Sequence, residues 1–566
     1  MPDGPQTLPP TTAGIHPERF SDELFFLSSP RVTAVILGIL VLIAFGFRVN
    51  HLGAESFGED EYNKLQTVEE YRQNGLSGKN GEHPFLMKGL QTLSVAAADR
   101  INSSLVSPAN AISPEAALRF PVSFIGTLTV LLLFLVVREL FGRSIGLVSA
   151  ALWAVEPTAI GFDRVAKEDS LVLFFFLLTA FFWLRSQTVA ERVGTNYMRY
   201  VFGAGVSFAA LMASKYNPWL LSIPAAYYTL YDRMPDIRKW VIGRPRWLAF
   251  FAVMGVSFLL FNPTVLLPDT WREMLKFGSE NRIGHDSYEF WGNLYPNKVS
   301  LWVKGVPPSF YYVFTAVKTS LPTLLLCLAG IPLLFRRRMG DGRFFTFFWA
   351  FMWFVPFTFL GGKFTRYFAV PEPLIYIAAA TAFFVGVSWI AETSRMGSGL
   401  RAAFQSVLFL ALIAVPAYNS FSVGPHYRLF TNTIGGGMAN AGAYFPHDEF
   451  YDAASREVVS AIAGRSPGKA LIACEAPYLL DYYADRIGVP ALDTISLSDP
   501  QAVSRLKEGD FVVITSGRRY FSNDAYQRAL STYQPDSEVF LTRVSAARIY
   551  KLDADKLSAI RAIATQ

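Results

Sequence analysis

Apolar stretches of about 17 to 25 residues recur along this chain, and each is long enough to cross a hydrocarbon core about 30 Å thick. In lipid the backbone N–H and C=O groups must be paired inside the segment itself, so a continuous apolar run of this length is expected to fold as a helix. Eleven such spans can be placed, at about 33–50, 116–137, 145–162, 170–184, 200–214, 217–231, 247–265, 318–335, 344–362, 367–391 and 402–419. The expected fold class is therefore a polytopic α-helical membrane protein. Composition agrees: 52% of residues are hydrophobic and 17% charged, against about 25% charged in soluble domains. No basic recognition segment occurs, which argues against a nucleic-acid partner. Only Cys327 and Cys474 are available, too few and too far apart for a disulfide framework or a cysteine metal site.

Residues 1–32 are rich in proline and polar groups and lack the basic start and cleavable apolar core of a signal peptide, so 33–50 reads as a retained first span. Lys and Arg in short loops report orientation. Counted over those loops they favour the side of the N-terminus, as with Arg233, Arg238 and Lys239 in one loop and Arg336, Arg337, Arg338 and Arg343 in another. The expected organisation is a cytoplasmic segment over 1–32, a transmembrane unit over 33–420 and an extracytoplasmic α/β domain over 421–566, in a bacterial inner or plasma membrane. Three polar regions then share the outer face: 51–115, 266–317 and the tail.

In the first of these, "EDEYNKLQTVEEYR" places Tyr62, Leu65 and Val68 at a spacing that suits a short interfacial helix. "HPFLMKGLQTLSVAAADR" starts another, with Pro84 in the first turn. In the tail, "KALIACE" and "DFVVITS" read as strands, "PYLLDYYADR" and "NDAYQRALSTY" as helices, and "EVFLTRVSAARIYKL" as a strand pair. The glycine-rich stretch 432–446 reads as a flexible linker.

Chemistry is concentrated on the outer face. Glu59, Asp60 and Glu61 are consecutive; the bland reading is three acids at a helix N-terminus, where the dipole favours them. About twenty residues on, His83 and Pro84 open a helix with Lys88 one turn in, a pattern suited to holding phosphate. Arg164, Lys167, Glu168 and Asp169 stand at a mouth between two spans, and Lys215, Lys363 and Arg366 add cations at other outer ends. Each of these reads alone as a snorkelling anchor; together with the acids they read as a pocket for a lipid-linked phosphate. In 266–317, His285 is a candidate site residue, while Trp291 suits an aromatic belt. A divalent cation held by Asp60, Glu61, His83 and Asp169 is the alternative use of these donors, although no diagnostic metal spacing is present.

An outer "DE" after the first span (Asp60, Glu61), followed by H-P-x-L-x-K (His83, Pro84, Leu86, Lys88), resembles the dolichyl-phosphate-mannose protein mannosyltransferases and their bacterial relatives. The lipid A aminoarabinose transferases are more distant cousins. "DRVAKEDSLVLFF" and "KFTRYF" are similar to later family segments. The resemblance runs over roughly 33–420 and implies the C-type membrane glycosyltransferase fold. It departs at Phe85, where the family often has a second proline, and in lacking a large inserted module in 266–317. It implies inverting transfer from a polyprenyl-phosphate sugar to a protein, lipid or glycan acceptor. Asp60 would be the catalytic carboxylate, Glu61 its neighbour, and His83 and Lys88 would lie by the donor phosphate. A phosphate leaving group needs no general acid, so one base and several cations suffice. The rival readings are a polytopic transporter, whose ionisable groups would sit nearer the bilayer midplane, and another lipid-phosphate-processing enzyme.

Overall fold

The computed structural model describes residues 24, 29–107, 110–233, 239–279, 284–465, 470–489 and 492–564. Almost all of the expected N-terminal segment 1–32, and Arg238 of the inner loops, lie outside the described residues. Helix α1 (Pro30–Val49) leads into α2 (Glu59–Asn74) and α3 (Phe85–Asn102), then α4 (Pro114–Phe141), α5 (Arg143–Val155), α6 (Pro157–Phe162), α7 (Asp169–Arg192), α8 (Met198–Ser214), α9 (Ser222–Asp232), α10 (Arg244–Phe261) and α11 (Pro268–Ser279). A hairpin of β1 (Ser287–Phe290) and β2 (Asn293–Pro296) precedes α12 (Phe310–Lys318), α13 (Leu321–Leu334), α14 (Gly342–Phe359), α15 (Pro373–Thr393) and α16 (Ser398–Val423).

Each expected span overlaps helical structure, but 145–162 and 217–231 are each divided between two shorter elements. Among the described residues six helices, α1, α4, α7, α10, α15 and α16, are long and apolar enough to cross a membrane; α5, α8 and α13 are apolar but shorter. The chain is an integral membrane protein. The expected 145–162 span is broken at Glu156, whose backbone is extended, because the ring of Pro157 pushes the preceding residue out of the helical region. Helix α7 packs along α4 and α8, and α13 along α15. At the α13–α15 crossing, Gly330 lies so close to the Ala378 carbonyl that a Cβ has no room, the kind of small-residue contact that membrane helices use. Trp153, Trp183, Trp240, Trp349 and Trp353 are fully buried in this core.

Beyond α16, α17 (Pro446–Phe450) and α18 (Ser455–Ala463) precede a five-stranded sheet. Its strands are β3 (Leu471–Cys474), β4 (Asp493–Ser496), β5 (Phe511–Thr515), β6 (Ser537–Leu541) and β7 (Val544–Lys551), in the order β4-β3-β5-β7-β6. The first three are parallel and the last two join antiparallel. Helices α19 (Pro477–Arg486), α20 (Pro500–Val503), α21 (Asp524–Leu530) and α22 (Ala554–Ala564) accompany them. Alternation decides the two faces: Ile472, Phe511 and Val513 join one apolar layer, and Leu471, Ala473, Val512 and Ile514 the other. Strand β4 and helix α22 have no counterpart in the sequence reading.

Three expectations change. The glycine-rich 432–446 stretch is pinned, since Asn432 Nδ2 donates to the carbonyls of Ala316 and Thr319, both at 2.7 Å, and Phe445 is fully buried. In α2, Tyr62 does not look outward as a purely interfacial side chain: its ring stacks on Tyr478 of the tail, with centroids 5.7 Å apart. Helix α3 begins at Phe85, with Pro84 as its extended cap.

Candidate active site

Three adjacent acids open α2, and a helix turns about 100° per residue, so they leave it in three directions. Glu61 turns inward. Arg119 of α4 grips both its oxygens, at 2.8 Å and 2.6 Å, while the backbone N–H groups of Ala166 and Gly58 donate to it at 2.7 Å and 2.9 Å. It is fully buried, and its role here is to cap α2 and tie it to α4. Glu59 turns to the tail and the hairpin: Arg518 Nη1 stands 2.7 Å and His285 Nε2 3.0 Å from its Oε2. The His285 ring in turn stacks on Tyr520 at 4.1 Å. All three polar regions expected on one face meet at this point.

Asp60 turns to an open space. Lys167 Nζ lies 2.5 Å from its Oδ2 and Arg366 Nη2 3.7 Å away, and the Tyr451 hydroxyl donates to the same oxygen at 3.1 Å. About a third of the side chain (34%) is exposed. Burial opposes ionisation, but Lys167, Arg366 and Lys64 outweigh it and hold the carboxyl well below the usual carboxylate range.

Arg366 joins Asp60 to two further acids: its Nε is 3.9 Å from Asp169 and its Nη1 3.4 Å from Asp448. Asp169 also pairs with Lys215 at 2.7 Å, and the Lys215 ammonium lies 4.7 Å over the Tyr367 ring. Behind Lys167, the buried Glu168 takes Lys64 at 2.7 Å and His83 Nδ1 at 3.3 Å. Burial holds the His83 imidazole well below its usual range, with Lys64 and Lys167 adding to the effect against the pull of Glu168.

The remaining expected cations are committed to backbone oxygens. Arg164 caps the end of α1, donating to the carbonyls of Phe47, Arg48, Asn50 and His51, the groups a helix leaves unpaired at its C-terminus. Lys88 is buried and donates to the Asn80 carbonyl at 2.8 Å. Burial, with Lys64 nearby, brings its ammonium down to about 7. Lys363 donates to the carbonyls of Val306 and Leu360. These three stitch loops together and do not line the opening beside Asp60.

Next to Asp60 is a small pocket of about 40 Å³, lined not by Asp60 itself but by its partners Lys167, Arg366 and Tyr451, with Asp169, Asp448, Glu449, Lys318 and Arg428 and the apolar Phe162, Val165, Phe314 and Tyr427. Four cations, three carboxylates and several aromatic side chains thus share one pocket, with Lys318 paired to Glu449 at 2.7 Å and Arg428 to Glu55 at 2.8 Å. Among the described residues no three His, Cys, Asp or Glu side chains gather as metal donors; Asp60, His83 and Asp169 each face a cation or another side chain, and Glu61 faces Arg119. The residues that sequence reasoning missed are Lys64, Arg119, Lys318, Arg428, Asp448, Tyr451 and Arg518. Only Lys64, one turn beyond Asp60, carries a local signal.

Residues 110–266 match the family described as dolichyl-phosphate-mannose-protein mannosyltransferase. The resemblance is to a membrane glycosyltransferase family. The matched span holds Lys167, Glu168, Asp169 and Lys215; Asp60 lies before it and Arg366 after. The protein YkcB of Bacillus subtilis (strain 168), whose name assigns it provisionally to the mannosyltransferases, is 26% identical over 141 residues, which is 25% of this chain and 19% of that protein. The chain thus spans about a fifth of that relative's length. ArnT from Cupriavidus metallidurans bound to undecaprenyl phosphate aligns over 92% of this chain and 98% of its own, with a TM-score of 0.50 and 13% identity. At that identity the likeness is one of fold, and the fold is shared end to end. The Archaeoglobus fulgidus oligosaccharyltransferase tethered with an acceptor peptide aligns over 87% of this chain and 70% of its own, at a TM-score of 0.47 and 12% identity.

Proposed function

We propose that this protein is a membrane glycosyltransferase that moves a sugar from a polyprenyl-phosphate carrier to an acceptor hydroxyl on the extracytoplasmic face. It inverts the anomeric carbon and uses Asp60 as its base. The observation that carries this reading is a partly exposed carboxylate, Asp60, held by Lys167 and Arg366, two cations that also line the adjoining pocket. An ordinary glycoside needs a second carboxyl to protonate its leaving group. A phosphate departs as a stable anion, so one base plus cations meets the requirement.

The same cations serve in two roles. A donor phosphate that draws Lys167 and Arg366 to itself relaxes the charge that holds Asp60 ionised, and the carboxylate becomes a stronger base once the donor is seated. The acceptor oxygen then attacks the anomeric carbon, its proton passes to Asp60, and the carbon–oxygen bond to phosphate breaks with its electron pair going to the phosphate. Lys215 and Asp169 orient Arg366 from the far side.

In this reading 33–420 is the catalytic membrane unit and 421–566 the extracytoplasmic α/β unit, with the N-terminus cytoplasmic, in a bacterial inner or plasma membrane. The basic residues of the loops on the N-terminal side support that orientation. The acceptor is a protein, lipid or glycan hydroxyl. Purified protein given radiolabelled polyprenyl-phosphate sugar and cell-envelope acceptors should release polyprenyl phosphate, and Asp60→Asn should abolish the release. Solute movement with no donor consumed would replace the reading with a transporter.

A further inference from the structure

The tail reaches the reacting carboxylate through one side chain. Tyr451 and Asp452 follow α17 with φ of 47° and 59°, two successive non-glycine residues in the left-handed region, a conformation that persists only where its surroundings enforce it. The surroundings do. Arg518 grips Asp452 with two donors, its Nε at 2.6 Å from Oδ1 and its Nη2 on Oδ2, and the Glu59 N–H donates to Asp452 at 3.2 Å. The Arg428 guanidinium lies 5.2 Å over the Tyr451 ring. Gly58, the cap of α2, lies against that ring so closely that a Cβ would collide with it. The outcome is a phenol aimed at Asp60 Oδ2, 3.1 Å away, on the wall of the cavity.

We propose that Tyr451 is a positioning residue for the base, so that the tail completes the active centre. The inference rests on Asp60 being that base. Lys167 and Arg366 meet the same Oδ2, and both are called to the donor phosphate; Tyr451 is neutral, and stays with the carboxylate when they leave. It fixes the carboxylate plane so that the other oxygen, Oδ1, faces the acceptor.

The test is turnover of radiolabelled polyprenyl-phosphate sugar, expressed per molecule of donor bound, in Tyr451→Phe and Gly58→Ala. The first removes the hydroxyl and keeps the ring; the second pushes the ring away and keeps the hydroxyl. Both should lower kcat by roughly tenfold, equivalent to about 1.4 kcal/mol, with donor KM within about twofold of wild type. The loss should grow as pH falls toward the range in which Asp60 takes up its proton, below the usual carboxylate range, because a carboxylate deprived of a hydrogen-bond donor holds its proton more tightly. A variant that merely loosens the fold binds less donor but turns over what it binds at the normal rate, with no added pH dependence; that result overturns the proposal, as does wild-type kcat in Tyr451→Phe. Asp60→Asn separates the two readings. If it turns over normally, the base assignment fails; if it is inactive while Tyr451→Phe is normal, the role of Tyr451 alone fails.

Discussion

Lys167 and Asp60 meet at 2.5 Å although one precedes α7 and the other opens α2, and this pair joins the two halves of the proposed chemistry. Burial brings the Lys167 ammonium down to about 8, even with Asp60 beside it. A lysine with a lowered value is charged below it and neutral above, so kcat/KM for the donor should fall as pH rises through about 8. In Lys167→Arg, whose guanidinium stays charged, the alkaline limb should move upward even though the rate drops. A limb that stays in place assigns it to another group.

Adjacent acids should part company under mutation. Asp60→Asn should lower turnover by roughly 10²- to 10⁴-fold and cost less stability than the loss of Glu61, since Asp60 is partly exposed and Arg366 keeps Asp169 and Asp448 when Asp60 is neutralised. Glu61→Gln breaks a buried bidentate pair and leaves Arg119 uncompensated, which should cost about 3–5 kcal/mol of stability. Unfolding in detergent followed by circular dichroism measures the difference; equal stabilities would contradict the roles assigned to the two carboxylates.

Arg366 and Lys88 differ in the same way. Arg366→Lys loses the planar fork that reaches Asp60, Asp169 and Asp448, and donor KM should rise by about tenfold or more. Lys88→Met keeps the stem and deletes the ammonium that donates to the Asn80 carbonyl. Its effect should fall on stability, by roughly 1–3 kcal/mol, with donor KM unchanged. Donor titrations on both variants decide the point.

Arg518 is one of several links between the tail and the loop that opens α2, beside the Tyr483 hydroxyl that accepts from the Phe57 N–H at 2.7 Å and the Arg428–Glu55 pair at 2.8 Å. Arg518 binds both Glu59 and Asp452, and Arg518→Ala should release the tail from α2. Limited proteolysis should then cut between α16 and α18 much faster than in wild type, with kcat falling alongside. Unchanged cleavage would mean that other contacts, such as Tyr62 on Tyr478, hold the tail unaided.

The apolar spacing by itself determined that this is a membrane protein of many helices, because a long apolar run has one way to satisfy its backbone in lipid. Alternation and turn residues likewise marked four of the five tail strands. The acids and cations of the polar regions were legible as a group, since charge beside apolar runs is conspicuous, and the "DE" and H-P-x-L-x-K patterns pointed to a family. Which charges face the cavity was not legible. Asp60 and Glu61 are neighbours in sequence with the same chemistry, and only the 100° turn between them, set against where α4 and the Lys167 loop pack, sends one into the core and the other to the opening. Arg164 is drawn to carbonyls at the end of α1, and Lys88 and Lys363 to carbonyls of loops whose placement only the tertiary packing sets. Tyr451, nearly four hundred residues from Asp60, reaches it because the tail folds back over α2, a closure through space that no local pattern of side chains encodes.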